Sequence, residues 1–174
     1  MEYSRALLER LGALHPRLWS GRTFRWTFQG IPPDRANSRG ARWSPPGIEA
    51  LYTSLSRDGV LAESDYLIGA QGIAPTRARN IHTFELSLRS VLEITDRMLL
   101  ARLGVDDDAL RSVDLSKCQL VGGAVERLGH DGLIVPSARS AANNLVIFVN
   151  RRPFGAPLHL VGTEVLPAAS RKGT

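Results

Sequence analysis

One cysteine, Cys118, stands alone among 174 residues. A lone thiol cannot close an intramolecular disulfide, and with no Cys-x-x-Cys pair or Cys/His cluster no zinc site is expected. Cys118 reads as a small buried hydrophobe on a helix. The four histidines, His15, His82, His130 and His159, fall in unrelated contexts and none has metal-ligand spacing. They read as structural or surface groups, and no metal is expected. No uncharged apolar run reaches the length of a membrane span. The opening residues lead into a leucine stripe broken by Glu9 and Arg10, which is not the apolar core of a signal peptide. The expectation is a cytoplasmic protein without membrane association.

Lysine is nearly absent: of 22 basic residues only Lys117 and Lys172 are lysines. Arginine presents a planar fork that grips phosphate or carboxylate in two places, so this bias suits a phosphate-bearing ligand. A coding bias would produce the same count, and composition does not choose between them. The net charge of +5 also permits contact with nucleic acid. The arginines are scattered, however, and no basic stretch interleaves with aromatics. A non-catalytic nucleic-acid-binding module therefore ranks last among the readings.

What is present fits one α+β domain spanning residues 1–174, with mixed order of strands and helices and no repeat or linker. A chain of this length buries roughly two-thirds of its unfolded surface without a staple. Residues 5–14 carry the leucine stripe of a short helix. Residues 23–28 alternate polar and aromatic, the period of a half-buried strand. Residues 30–47 form a long Pro/Gly-rich loop, a length that inside a compact domain points to function. Residues 50–54 read as a strand, and Ser56 as the N-cap of a helix to about Ile68, with Val60, Leu61, Tyr66, Leu67 and Ile68 as its apolar face. Strands follow at 84–88, with an extension at 91–94, and at 132–135, 145–149 and 158–161. Residues 96–130 read as helical pieces broken at Gly104, Ser116 and Gly122-Gly123. The last residues are expected to fray.

Polar residues fall at three places where a core would not need them. Arg42 lies in the loop Gly40-Ala41-Arg42-Trp43-Ser44-Pro45-Pro46-Gly47, on backbone able to approach a ligand closely. Tyr52 lies on the second strand, and Glu63 falls on the Val60–Leu67 side of the helix after it. Ser137 ends the strand Gly132–Pro136 ahead of Arg139, Asn143 and Asn144. Ser137 is outside any G-x-S-x-G elbow and has no marked His/Asp partner, so it does not read as a hydrolase nucleophile. Taken singly, these residues are ordinary: a loop arginine, a strand tyrosine, a solvated glutamate.

Taken together they resemble a known family. Arg42-Trp43-Ser44-Pro45-Pro46-Gly47, Leu51-Tyr52-Thr53-Ser54-Leu55-Ser56 and Ala62-Glu63 are similar to the first signature of RES-domain proteins. The run Asp131 to Arg139, with Asn144-Leu145-Val146-Ile147-Phe148, is similar to the second. The likeness spans about residues 20–165 and leaves residues 1–20 as an N-terminal helical extension. It implies a twisted mixed β core resembling the ADP-ribosyltransferase fold, with the family's Arg, Glu and Ser at Arg42, Glu63 and Ser137 and its tyrosine at Tyr52. It also implies the toxin of a bacterial toxin–antitoxin pair that depletes NAD by hydrolysis or by phosphorolysis with inorganic phosphate. The alternative implied activity is ADP-ribosylation of a protein. The implied partner is an Xre-type antitoxin covering the site, in a homodimer or a hetero-oligomer with that antitoxin; nucleic acid would be contacted only through it. The chain departs from the family where Ser44 replaces a frequent Asn and Ser140-Ala141-Ala142 replaces a glycine-rich turn.

Cleaving the nicotinamide–ribose bond leaves positive charge on the sugar, so a fixed carboxylate beside it lowers the barrier. Glu63 is the candidate for that group. Arg42 would grip the pyrophosphate or the attacking phosphate, Tyr52 would offer a ring face and a hydroxyl, and Ser137 would bind phosphate or position Glu63. Asn144, from the second signature, and Arg25, opposite the Phe24/Trp26/Phe28 face of its strand, complete the expected NAD-binding set. No cofactor beyond NAD as substrate is called for.

Overall fold

The computed structural model describes residues 2–70, 77–152 and 158–168. Residues 169–174, where fraying was expected, lie outside this set. Among the described residues there are six strands: β1 (Arg17–Phe28), β2 (Ala50–Ser54), β3 (Arg79–Glu93), β4 (Gly132–Pro136), β5 (Asn143–Phe148) and β6 (His159–Leu166). Five α-helices join them: α1 (Arg5–Gly12), α2 (Arg57–Ala70), α3 (Arg97–Arg102), α4 (Asp107–Arg111) and α5 (Ser116–Arg127). The architecture is α+β. β1 starts at Arg17, so residues 17–20 are strand and not helical extension.

The sheet runs β1-β2-β5-β4-β3-β6, and β1 also lies antiparallel along β3 from Arg17 to Phe28. Five strands thus close on themselves, with β1 meeting β2 at Phe24 opposite Ser54. The β3–β4 pair is parallel and the others are antiparallel, which makes the sheet mixed. One edge of β3 serves two partners, β6 along residues 79–85 and β4 along residues 91–93. Between them the buried Asp131 carboxylate accepts hydrogen bonds from the Arg89 and Ser90 amides, at 2.8 and 2.9 Å. A side chain there satisfies backbone donors that no strand reaches.

Strands β2, β4 and β5 carry apolar residues on both faces because both are covered. Leu51, Ile134, Leu145 and Ile147 turn inward against Phe84, Leu86 and Leu88 of β3. Ala50, Leu133, Val135, Val146 and Phe148 turn the other way, against Leu100, Leu110, Cys118, Val121 and Val125 of the helical layer. Cys118 is fully buried on α5, as its context predicts. Asp96 and Asp106 cap α3 and α4 by accepting from the third amide along.

Three local readings change. Gly122-Gly123 does not break a helix; the pair lies inside α5, because a Cβ on Gly122 would stand 1.8 Å from the Trp43 carbonyl oxygen. The missing side chain lets the 40–47 loop lie directly on the helix. On β1 the alternation is right but the buried face is the polar one: Thr23 and Thr27 are buried while Phe24, Trp26 and Phe28 are half-buried. Thr27 meets His82 Nε2 at 2.9 Å and Thr163 meets His82 Nδ1 at 3.0 Å, so a hydrogen-bonded line crosses three strands. On α2, Val60 of the expected apolar face is buried, with Gly59 and Ser64 beside it, whereas Tyr66 and Leu67 are each 42% exposed and do not seat the core.

Candidate active site

The 40–47 loop is fixed from several sides. Gly40 and Gly47 adopt φ of +94°, a conformation that suits glycine. Gln119 on α5 donates to the Ala41 carbonyl at 3.0 Å. The Tyr52 hydroxyl accepts from the Trp43 amide at 2.9 Å and bonds the Ser44 hydroxyl at 3.0 Å. Burial pushes the Tyr52 hydroxyl up to about 12, although the bonds from Ser44 and Trp43 oppose the rise. That hydroxyl organises the loop, and Tyr52 also lines the adjoining cavity. Arg42 Nη1 donates to the Leu110 and Ser112 carbonyls, at 2.6 and 3.1 Å, around the C-terminal end of α4.

Glu63 is delivered by the start of α2. Ser56 Oγ accepts from the Gly59 amide at 3.0 Å, the N-cap its sequence position predicts. A Cβ on Gly59 would fall 2.3 Å from Ser54 Oγ and 2.7 Å from the Ala142 methyl, so the first turn sits tight against the end of β2 and the 137–142 turn. One helical turn later Glu63 reaches that same turn. Ser137 Oγ donates to Glu63 Oε1 at 2.6 Å and Asn144 Nδ2 donates to the same oxygen at 3.2 Å. Ser137 Oγ also accepts from the Arg139 and Ser140 amides, at 3.0 and 3.2 Å. Those two bonds orient the hydroxyl proton toward the carboxylate.

A cavity of about 510 Å³ opens between these elements, lined by Arg25, Arg42, Tyr52, Glu63 and Asn144. Of the six residues singled out in the sequence, five therefore line one cavity, and the sixth, Ser137, stands directly behind Glu63. Arg25 donates to the Tyr52 carbonyl at 3.1 Å and to the Arg35 carbonyl at 2.8 Å. Burial lowers its pKa from the ordinary value, with Asp34 opposing. A volume of this order suits a drug-sized organic ligand, and the wall offers one anion among several cations.

The sequence pattern of the RES domain matches residues 16–166. The chain belongs to the RES-domain family. Among curated proteins this RES domain is similar to the NAD(+) phosphorylase MbcT of Mycobacterium bovis and of Mycobacterium tuberculosis, each 27% identical over 140 residues. The alignments cover 76% of this chain and 75% of each relative. Among solved structures it is similar in fold to the crystal structure of the M. tuberculosis MbcT–MbcA toxin–antitoxin complex, with a TM-score of 0.84 and 24% identity. That likeness covers 94% of this chain and 93% of the other.

The positions expected to depart from the family's pattern, Ser44 and Ser140-Ala141-Ala142, adjoin the cavity-lining residues Trp43 and Arg139. Ser44 supplies the hydroxyl that meets Tyr52, and Ser140 Oγ accepts from the Ala142 amide, at 3.2 Å, to brace a turn that lacks glycine. Other cavity residues are not among the site residues expected from the sequence. Tyr66 and Leu67 form part of the rim, Asn37 and Leu115 enter from the flanking loops, and Arg139 lies over the Tyr66 ring with its guanidinium carbon 3.5 Å from the centroid. The signal for Tyr66 was available: an aromatic beside a glutamate on a helix facing a Gly/Pro-rich loop fits a binding rim as well as a core. No helix among the described residues is long and apolar enough to cross a membrane.

Proposed function

We propose that this RES domain cleaves the nicotinamide–ribose bond of NAD and passes the ADP-ribosyl group to inorganic phosphate, as the toxin of a cytoplasmic toxin–antitoxin pair. The observation that carries the reading is the Glu63 carboxylate, held by Ser137 and Asn144 through a single oxygen at the wall of a cavity rich in arginine. With Oε1 tied down, the second oxygen has no protein donor among the described residues and is left for a ligand. The family and the name of the curated relatives support NAD as the substrate and phosphate over water as the acceptor.

The chemistry follows from the charges. The C–N bond breaks with its electron pair moving onto the nicotinamide ring nitrogen, so a pyridinium becomes neutral and the ribose carbon becomes cationic. Glu63 would stabilise that carbon electrostatically and accept hydrogen bonds from the ribose hydroxyls. A phosphate oxygen then bonds to the carbon. Arg25 and Arg42, anchored on carbonyls, contribute a fixed positive field toward the pyrophosphate, and Tyr52 presents its ring to the nicotinamide or ribose. A guanidinium already fixed in place needs no reorganisation when the substrate arrives.

The toxin of the structural neighbour is bound to an antitoxin, which supports an antitoxin partner for this domain as well. We place an Xre-type antitoxin over the cavity mouth, in a hetero-oligomer. The deciding experiment is incubation of the purified protein with NAD, with and without phosphate, and identification of the products by mass spectrometry. Nicotinamide with ADP-ribose 1″-phosphate is expected. ADP-ribose regardless of phosphate would make the enzyme a hydrolase, and absence of nicotinamide release would end the reading.

A further inference from the structure

We propose that Arg139 receives a phosphate oxyanion in the cavity, an assignment that rests on the NAD-cleaving reading above. Three guanidinium groups line the cavity: Arg25, Arg42 and Arg139. The first two are engaged with main-chain carbonyls, Arg25 with Tyr52 and Arg35, Arg42 with Leu110 and Ser112. The Arg139 side chain makes no hydrogen bond or ion pair with any described residue. Its contact is with the face of Tyr66, 3.5 Å from guanidinium carbon to ring centroid.

That arrangement suits an incoming anion. Stacking fixes the plane of the fork while leaving its N–H groups pointing outward along that plane, where a ring face cannot satisfy them. Arg139 is half-buried, so its field is less screened than that of a surface arginine. Two parallel N–H bonds to a phosphate are the strongest use of such a fork.

The position is tied to the reacting centre through one hydroxyl. Ser137 Oγ donates to Glu63 and accepts from the Arg139 amide, so the turn that holds the carboxylate also sets where residue 139 leaves the chain. No ion pair links Glu63 and Arg139 among the described residues: Oε1 of the carboxylate meets Ser137 and Asn144, and the guanidinium lies on Tyr66. The cavity thus keeps an anion and an unengaged cation apart, as a substrate with a cationic sugar and an anionic phosphate requires. Two phosphates could occupy the fork: the pyrophosphate of the dinucleotide, or the free phosphate that accepts the ADP-ribosyl group.

Arg139→Gln and Arg139→Lys in the full chain separate these sources. Phosphate is titrated at saturating NAD and NAD at saturating phosphate, and binding of inorganic phosphate and of ADP-ribose is measured by calorimetry without turnover. In Arg139→Gln, one of the two KM values and the matching binding constant are expected to rise about tenfold or more, with partial recovery in Arg139→Lys. A rise confined to phosphate, with more product formed from water, assigns the acceptor site. A rise confined to NAD, with weaker ADP-ribose binding, assigns the pyrophosphate. Tyr66→Leu keeps the charge and removes the stack, and is expected to weaken the same ligand about threefold; it carries the test if both Arg139 variants fail to fold. If NAD is cleaved and these variants leave both KM values and both binding constants within about twofold of wild type, the assignment is overturned and the cleavage reading stands. If the wild type releases no nicotinamide while Arg139→Gln still weakens phosphate or ADP-ribose binding, the anion site stands and the cleavage reading falls.

Discussion

Ser137 and Glu63, 74 residues apart in the chain, meet at 2.6 Å because the end of β4 and the second turn of α2 face each other across the 137–142 turn. The hydroxyl is oriented by two amides and the carboxylate by two side chains, so neither group has to be ordered when a ligand binds.

Replacing Glu63 by Gln keeps the shape and removes the charge. Loss of one preorganised electrostatic stabiliser predicts a fall in kcat on the order of a hundredfold to a thousandfold with little change in melting temperature. Nicotinamide release under single-turnover conditions measures it, and a variant within about threefold of wild type would remove Glu63 from the mechanism.

Ser137→Ala should show in both stability and rate. Two amides lose their acceptor and the carboxylate loses its shortest donor, which predicts destabilisation of about 1–3 kcal/mol and a rate loss of about tenfold. Chemical denaturation and kcat report the two effects separately. An unchanged kcat beside lowered stability would leave Ser137 a purely structural group.

Tyr52→Phe leaves the Trp43 amide without its acceptor and predicts a loss of about 1–3 kcal/mol. It also changes the response to alkali. With the folded-state pKa pushed from 10.0 to about 12, the unfolded chain releases this proton first as pH rises. The contribution is therefore present below pH 10 and lost between there and about 12. Urea unfolding of wild type should weaken across that window more steeply than that of the Phe variant, and parallel slopes would contradict the buried, neutral phenol.

Gly122→Ala tests the seat of the loop. The added methyl would overlap the Trp43 carbonyl, so a loss of about 3 kcal/mol or more is expected, together with reduced activity because Arg42 belongs to the displaced loop. Thermal melting decides the first part. A variant as stable as wild type would mean that α5 and the loop are not in direct contact.

Strands with one period or continuous apolar runs were legible in the sequence because burial alone dictates them, and β2, β4 and β5 fall close to where their residues place them. The N-cap at Ser56 was enough to put Glu63 on a definite helix face. What local pattern cannot carry is the identity of the neighbour. Gly122-Gly123 reads as a break unless one knows that Trp43 lies against it, and Tyr66 reads as core unless one knows that the facing space is empty. The inverted face of β1 has the same origin: Thr23 and Thr27 turn inward, and Thr27 finds His82 fifty-five residues on. The Arg42 acceptors, Leu110 and Ser112, lie 68 and 70 residues away, so no spacing rule could have shown how that fork is engaged.

The long third strand has a consequence for how the domain comes apart. Its first half carries β6 and its last residues carry β4, while β1 runs along its other edge, so every strand but β2 and β5 hangs directly on this one segment. Peeling it away would strip the cavity wall and the helical layer of their shared spine in one event. An intact fold and an intact cleft are therefore expected to vanish at the same denaturant concentration.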